Sequence, residues 1–159
     1  LHDPETHLIP LAIEAVLERK KELKVFGNNY DTHDGTCIRD YIHVCDLADA
    51  HVLALDYIKS SNKISNVTDD YFCSEFNLGN GKGISVKEII SAIEKIANKK
   101  VPVSFVERRA GDPAVLVASA EKAKKILGWR PKYENIDQIV KHAYNWHSNI
   151  KNNFKLKNE

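Results

Sequence analysis

The chain has 159 residues, of which 43% are hydrophobic and 28% charged, the composition of an ordinary folded domain with a core. Its 23 Lys and Arg residues nearly balance 22 Asp and Glu residues, so the charge gives no reason to expect nucleic acid or an anionic membrane as a partner. Cys37, Cys45 and Cys73 lack C-x-x-C spacing and are odd in number, which favours reduced thiols in a cytoplasmic protein.

The sequence pattern gives no indication of a metal-binding or a membrane-spanning protein. The seven His residues form no zincin motif, so no metal site is expected, and no window approaches the roughly 18 apolar residues of a membrane span. The chain starts at Leu1 and contains no Met, so we expect it to be a piece of a longer protein.

The first part of the chain alternates helices with a short strand. Apolar residues recur at helical spacing over residues 8–17, and Pro10 lies in the first turn, where proline is tolerated. A strand is expected at Leu23–Phe26. The next helix is expected over Asp46–Ile58, with its first residue as the N-cap, and residues 59–70 read as a polar loop.

The second part continues this alternation. Residues 71–78 predict a strand, and Ser85 with Glu88 forms a capping box at the start of a helix. A strand at Val101–Val106 follows. Two more helices, at 121–127 and from Asn135, and a frayed tail at 149–159 complete the chain. The fold class is therefore α/β, with few strands to close a sheet by itself.

A glycine-rich loop, residues 79–83, lies between a predicted strand and a predicted helix. Glycines let the backbone approach a pyrophosphate, which invites a dinucleotide-binding interpretation. However, G-x-G-x-x-G fails in both registers, because Ile84 or Val86 occupies the third glycine position. A tight turn that leads into a capped helix is the better account.

Arg39 lies in an otherwise apolar run, and a guanidinium at a strand edge suits a phosphate-bearing ligand. The competing interpretation is a surface arginine paired with Asp40. Arg109 follows a second strand and could hold a diphosphate together with Arg39. Asp112 could accept hydrogen bonds from sugar hydroxyls, or be an N-cap or a partner of Arg108.

No catalytic constellation is visible. No Ser, His or Cys residue has a recognisable partner nearby in sequence, and no Tyr is followed four residues later by Lys. We therefore expect no catalytic residue in this chain.

Four stretches together resemble the C-terminal half of the UDP-glucose 4-epimerase family, which belongs to the extended short-chain dehydrogenase/reductases. The resemblance covers about residues 3–148. F-G-N-x-Y and R-R-x-G-D are its more specific motifs. The four stretches are residues 25–30, 34–48, 76–81 and 108–114.

The resemblance implies a fold and a division of labour. Residues 1–148 would be the substrate-binding region, with the helix and strand at 46–78 crossing back to a Rossmann-like sheet. The N-terminal half of the family, a partner absent from this chain, holds NAD and supplies a Tyr-x-x-x-Lys pair. The family enzyme interconverts UDP-glucose and UDP-galactose at C4 through a 4-keto intermediate, and the parent protein would be a homodimer.

The resemblance also implies how the nucleotide is held. The backbone of Lys24 and Val25 would contact uracil, and Phe26 would stack on it. His7, which departs from the Asn often found there, and Leu8 would approach the diphosphate and nucleotide.

At the diphosphate, the resemblance implies a clamp made by Arg39 and Arg109, with Asp112 on the ribose. Leu116 falls at a pocket-gating position, where its intermediate size leaves acceptance of N-acetyl sugars open. The remaining implied substrate-binding positions are Tyr41, Ala110 and Gly111.

Two alternatives remain open at this stage. The parent could be another extended family member acting on nucleotide sugars, such as a UDP-glucuronate epimerase or decarboxylase, although F-G-N-x-Y weighs against it. The chain could also be a non-catalytic fragment that binds UDP-sugars.

Overall fold

The structure, a computed structural model, describes residues 4–64 and 74–155. Its elements are α1 (Leu8–Val16), β1 (Leu23–Phe26), β2 (Ile38–Asp40), α2 (Val44–Ile64), β3 (Gly83–Ser85), α3 (Val86–Ala97), β4 (Val103–Val106), β5 (Val115–Leu116), α4 (Glu121–Ile126) and α5 (Ile136–Lys155). The chain divides into two compact units. The first contains Leu1–Arg39, Gly83–Leu116 and Asn135–Glu159, and the second contains Asp40–Lys82 and Val117–Glu134.

Three helices of the first unit, α1, α3 and α5, pack on one another around an apolar core. Ile13, Ile89, Ile93 and Val140 are fully buried there. Each helix contributes apolar residues spaced three or four apart, so one face of each is available for this core. The predicted capping box of α3 is confirmed, because the Ser85 side chain accepts from the backbone of residue 88 and the Glu88 side chain accepts from the backbone of residue 85.

The strands β1 and β4 form a parallel pair in which Phe26 lies opposite Val106. Leu23 N–H donates to the Pro102 carbonyl at 2.8 Å, and Gly27 N–H donates to the Val106 carbonyl at 2.9 Å. Because backbone groups alternate along a strand, the odd-numbered residues of β1 face β4. The backbone groups of Lys24 and Phe26 therefore point to the opposite side of the strand.

A second sheet has the order β3-β2-β5. The strands β2 and β5 run parallel, with Ile38 opposite Val115 and Arg39 opposite Leu116. These strands are two or three residues long. They are too short to show a period in the sequence, which explains why the sequence did not predict β3 and β5.

The second unit is organised around α2. Ala50, Ala123 and Trp129 belong to its buried core. The Asp46 carboxylate is fully buried and accepts from the backbone N–H groups of Lys132 and Tyr133 at 2.9 and 3.0 Å. The Trp129 indole N–H donates to the Asp46 carbonyl at 2.8 Å.

The predicted N-cap role of Asp46 is therefore wrong. The helix begins at Val44, and the ring Nδ1 of His43 accepts from the Cys45 N–H at 3.0 Å. The buried carboxylate instead satisfies two amides of the segment after α4, amides that would otherwise be costly to bury.

Three other boundaries differ from the sequence prediction. Residues 59–64 continue α2, so the predicted polar loop is wrong there, and residues 65–73 lie outside the described part of the chain. Residues 74–78 are not in a strand, because an extended segment needs a hydrogen-bonded neighbour, and none pairs with it among the described residues. The last helix continues to Lys155, past the expected start of the tail at residue 149.

The assignment of residues 46–78 to a Rossmann-like sheet stays a prediction. Within the described ranges, no helix combines the length and the apolar character needed to cross a membrane.

Candidate functional site

Phe26 and Arg109 meet at the carboxyl ends of the parallel strands β1 and β4. Phe26 is the last residue of β1, and Arg109 lies in the turn that follows β4. The Arg109 guanidinium carbon lies 3.9 Å from the centroid of the Phe26 ring, which is a cation–π contact. The aromatic and the cation that the sequence selected are thus brought together.

Arg39 forms an ion pair with Asp112, and both side chains are half-buried, with 21% and 27% of their area exposed. Arg39 also donates to the Ile38 carbonyl at 2.6 Å. Asp40, the competing partner considered from the sequence, instead accepts from the backbone N–H groups of Asn80 and Gly81 at 2.9 and 3.0 Å. Arg39 is therefore a half-buried cation held beside β5 rather than a solvated surface arginine paired with its neighbour.

The turn that presents Arg109 and Asp112 is closed by a hydrogen bond from the Asp112 N–H to the Arg109 carbonyl at 3.3 Å. Gly111 has a φ of 75°. A β-carbon at this glycine would meet nothing within 4 Å, so the residue is required for its backbone conformation and not for space. Ala110 and Gly111 are exposed, as expected for the tip of a turn.

Tyr30 is a member of this site that the sequence analysis did not assign. It is 5% exposed, and its hydroxyl lies 3.5 Å from Oδ2 of Asp112. The Arg108 guanidinium carbon lies 4.2 Å from the centroid of its ring, and Arg108 Nε donates to Asn29 Oδ1 at 2.6 Å. Residues of the F-G-N-x-Y motif therefore contact residues of the R-R-x-G-D motif. The presence of both motifs was the signal in the sequence that could have indicated Tyr30.

We call the set of Phe26, Tyr30, Arg39, Arg108, Arg109 and Asp112 the arginine cluster. Three guanidinium groups stand against one carboxylate in it, so the cluster favours an anionic ligand. Burial, followed by the charge of Asp112, raises the pKa of the Tyr30 hydroxyl above its ordinary value. Burial also raises the pKa of the neighbouring Cys37 thiol, so both groups stay protonated at neutral pH.

The remaining predicted residues of the first unit lie on three elements. His7 is the N-cap residue of α1, is exposed, and has its ring Nδ1 2.7 Å from a carboxylate oxygen of Glu5. Leu8 is the first residue of that helix and is half-buried. Lys24 is exposed and Val25 is buried on β1, while Leu116 is 60% exposed on β5.

Tyr41 belongs to the second unit, where it is half-buried and its carbonyl accepts from the Asn80 side chain at 2.7 Å. Its assignment to the substrate site stays a prediction.

The glycine-rich loop does not fit a dinucleotide. The N–H groups of Asn80 and Gly81, which would face a pyrophosphate, donate to the Asp40 carboxylate. A β-carbon on Gly79 would lie 2.4 Å from Oδ2 of Asp40, so the loop is packed tightly around its own carboxylate. The preference for a tight turn over a dinucleotide site is consistent with this arrangement, because two amides of the loop are already engaged by the Asp40 carboxylate.

Comparison with known proteins gives the same family as the motifs. A family model described as GDP-mannose 4,6 dehydratase matches residues 2–143. The UDP-glucose 4-epimerase of Halalkalibacterium halodurans is 44% identical over 99% of this chain and 45% of its own length. That of Rhizobium meliloti is 50% identical over 92% of this chain and 42% of its own length.

Solved structures agree with this result. A crystal structure of a UDP-glucose 4-epimerase is similar with a TM-score of 0.81 and 48% identity, over 96% of this chain and 44% of the other. The Bifidobacterium longum enzyme, solved in complex with NAD⁺ and UDP, has a TM-score of 0.79 and 39% identity, over 92% and 40% of the two chains.

This chain spans less than half the length of these relatives. The predicted α/β fold class, that of an extended short-chain dehydrogenase/reductase, is confirmed by these structures. The chain belongs to the family whose model is described as GDP-mannose 4,6 dehydratase, and its resemblance to the UDP-glucose 4-epimerases is confirmed.

Proposed function

We propose that this chain supplies the UDP-sugar-binding part of an NAD-dependent epimerase that interconverts UDP-glucose and UDP-galactose at C4 through a 4-keto intermediate. The names of its relatives support this proposal. The observation that carries it is the arginine cluster, in which side chains from three separate segments of the first unit meet.

The diphosphate would be held by Arg39 and Arg109. In the structure each guanidinium has a partner within the protein, Asp112 for Arg39 and the Phe26 ring for Arg109. A diphosphate offers these two cations stronger, bidentate acceptors than a single carboxylate and a ring face. Binding would therefore exchange the internal partners of both cations for the ligand and release the Asp112 carboxylate from Arg39.

The same exchange would free the groups that contact the nucleoside. Arg109 leaving the Phe26 ring would expose a face on which uracil can stack. Asp112 released from Arg39 would accept hydrogen bonds from the ribose hydroxyls. One rearrangement of the turn would thus prepare the contacts to the diphosphate, to uracil and to ribose.

The uracil edge would be read by the backbone of β1. The Lys24 carbonyl and the Phe26 N–H point away from β4, and an acceptor and a donor on one strand edge complement the N–H and carbonyl groups of uracil. We propose this pair in place of the Val25 backbone, whose groups face β4.

The other implied residues complete the proposed site. Leu116 would gate the sugar pocket, and its register opposite Arg39 supports that assignment. The remaining proposed contacts, at the diphosphate and at the turn, are His7, Leu8, Tyr41, Ala110 and Gly111.

NAD and the chemistry would belong to a second polypeptide part. The glycine-rich loop does not fit the cofactor, and the sequence contains no Tyr-x-x-x-Lys pair. Relatives from Brucella ovis and Bifidobacterium longum are solved with NAD. We therefore expect the isolated chain to be inactive and to need an N-terminal, NAD-binding half, with the assembled protein forming a homodimer in the cytoplasm.

A face of α2 supports such a partner. Val44, Val52, Leu55 and Ile58 are exposed apolar residues of this helix. The last three are spaced three apart and so lie on one face, while Ala50 and Leu53 pack into the core of the second unit. A helix with apolar residues on two faces is usually buried against other elements on both of them.

The second candidate is a chain that binds UDP-sugars without taking part in catalysis. The missing Tyr-x-x-x-Lys pair favours it. The full-length protein could instead act on another UDP-sugar, as a UDP-glucuronate epimerase or decarboxylase does. Such a protein would bind UDP through the same contacts and would differ in the residues that contact the sugar.

The grip on UDP is tested by thermal unfolding of the chain with nucleotides. At UDP concentrations about 100 times Kd, the added stability is roughly 2.7 kcal/mol, which raises Tm by several degrees. We expect Arg39→Ala to abolish this increase, and Arg130→Ala, a change of an exposed arginine of the second unit, to retain it. No increase in the wild-type protein, or an equal increase in Arg39→Ala, would contradict the proposal.

A comparison of nucleotides tests the base. We expect UDP to raise Tm and GDP at the same concentration to have little effect, because the strand-edge pair complements uracil. An equal increase with GDP would argue against the uracil contacts while leaving the diphosphate grip intact.

A further inference from the structure

Tyr30 lies where the two motifs of the arginine cluster meet, and no substrate role has been assigned to it above. Its ring carries the Arg108 guanidinium at 4.2 Å, and Arg108 is held in turn by Asn29. Its hydroxyl faces Oδ2 of Asp112, whereas Oδ1 of the same carboxylate faces Arg39. The two oxygens of Asp112 therefore face two different segments of the chain, the loop after β1 and the strand β2.

Gly27 shows how tightly this arrangement is packed. Its φ is 84°, and a β-carbon there would lie 2.5 Å from Cε2 of Tyr30 and 2.7 Å from Cγ of Arg108. The Tyr30 N–H is also fixed, since it donates to the Gly35 carbonyl at 2.9 Å. These contacts restrict the position of the ring, and its hydroxyl lies 3.5 Å from Oδ2 of Asp112.

We propose that Tyr30 is a positioning residue that orients the Asp112 carboxylate for the ligand, and that Arg108 holds the Tyr30 ring in place. This inference rests on the proposed function, in which Asp112 contacts ribose. When a diphosphate takes Arg39, Asp112 loses one of its two partners, and the Tyr30 hydroxyl becomes the contact that keeps the carboxylate directed at the sugar. Tyr30 thus acts through Asp112 and not on the substrate.

The test is a double-mutant cycle on UDP affinity measured by titration calorimetry. Tyr30→Phe keeps the ring and removes the hydroxyl, so we expect it to weaken UDP binding about 5-fold, the size of one hydrogen bond. In an Asp112→Asn background the same change is expected to weaken binding less than about 2-fold, because the group it orients is gone. Tyr144→Phe, the same change on α5, is the matched control and should leave affinity unchanged.

A second cycle on the unfolding free energy of the same variants does not depend on the ligand. Coupling between Tyr30→Phe and Asp112→Asn in both cycles supports the inference. Additive effects in the unfolding cycle overturn it, because the two side chains would then not interact. Coupling in unfolding with unchanged UDP affinity in Tyr30→Phe shows a structural contact and overturns the positioning role.

Failure of the proposed function gives a different result. If the wild-type protein does not bind UDP at all, the first cycle has no baseline, and the proposed function and the role of Tyr30 in it both fall. Retained UDP binding with no effect of Tyr30→Phe removes Tyr30 alone.

Discussion

Asp34 shows how a single carboxylate stabilises the loop before β2. It accepts from the Thr36 hydroxyl and N–H at 2.7 and 2.8 Å and from the Ser85 hydroxyl at the start of α3. Burial alone would raise the pKa of the Asp34 carboxyl, but the hydrogen bonds from Ser85 and Thr36 hold this pKa below its ordinary value. The folded state therefore binds a proton at Asp34 less readily than the unfolded chain.

The first prediction concerns this carboxylate. A depressed folded-state pKa contributes stability that is complete above the unfolded pKa of about 3.9 and is lost as pH falls through the lower folded value. We expect Asp34→Asn to lower the unfolding free energy at pH 7 by about 1–3 kcal/mol, since buried partners lose an ionised acceptor. It should also reduce the slope of stability against pH below about pH 4.

Urea unfolding between pH 3 and pH 7 measures both effects, with Asp31→Asn, an exposed residue of the same loop, as the control. An Asp34→Asn protein with the wild-type dependence on pH would show that this carboxylate does not supply the acid sensitivity.

At the scale of single residues, the motifs identified much of the cluster but not its pairing. Phe26, Arg39, Arg109 and Asp112 could be selected from the sequence. The first ends a predicted strand, the second is the cation in an apolar run, and the last two follow another predicted strand. The pairing of Arg39 with Asp112 could not be predicted, because the two residues are 73 positions apart. They are brought together by β2 and β5, which are too short to show a period in the sequence. Tyr30 was missed because its ring and its hydroxyl act on residues far along the chain.

Two glycines, one in the glycine-rich loop after residue 78 and one after α4, illustrate two different uses of glycine at the scale of elements. Gly79 has no room for a β-carbon because Asp40 fills that space. Gly128, at the end of α4, has open space around it but a φ of 69°. The first glycine is required by packing and the second by backbone conformation.

The second prediction compares these two glycines. We expect Gly79→Ala to lower the unfolding free energy by roughly 2 kcal/mol or more, because the methyl group must displace the Asp40 carboxylate and its two amide contacts. Gly128→Ala should cost about 1 kcal/mol, the price of a left-handed conformation alone. Chemical denaturation of both variants measures the difference, and equal losses would mean that the contact with Asp40 is not restrictive.

The elements themselves were predicted unevenly. The helix α1, the strand β1 and the capping box of α3 follow from local spacing and local chemistry, which the sequence contains in full. Residues 74–78, the described part of the strand expected at 71–78, would need a neighbouring strand, and no local signal reports whether that neighbour exists. The start of α2 was misplaced because the buried Asp46 binds a segment more than 80 residues later.

At the scale of the whole molecule, the exposed apolar face of α2 is one feature of the described residues that the core of the chain does not explain. Within the second unit this face has no role in the core described above. Covering three such side chains would contribute several kcal/mol at about 25 cal/mol per Å² of apolar area. A partner surface of matching apolar character is therefore expected.

The third prediction uses complementation. The chain is mixed with the part of the Halalkalibacterium halodurans epimerase that it does not match, and epimerase activity is measured with NAD⁺. We expect activity from the mixture and none from the chain alone. Val52→Lys with Leu55→Lys should abolish both activity and co-purification, while changing the stability of the isolated chain by less than about 0.5 kcal/mol.

Ile126→Lys, a change of an exposed apolar residue on α4, is the matched control and should assemble normally. Turnover by the isolated chain would contradict the division of labour. Normal assembly of the α2 variant would show that this face is not the partner surface, even if the mixture is active.

The arginine cluster lies wholly within the first unit, and the exposed face of α2 lies wholly within the second. These two surfaces share no residue, so a substitution in one of them leaves the side chains of the other unchanged. A lineage could lose the partner and keep nucleotide recognition, or exchange one nucleotide sugar for another and keep its partner. The two motifs inside the cluster, by contrast, contact each other through Tyr30, Arg108 and Asp112. We therefore expect related chains to keep both motifs or to lose both.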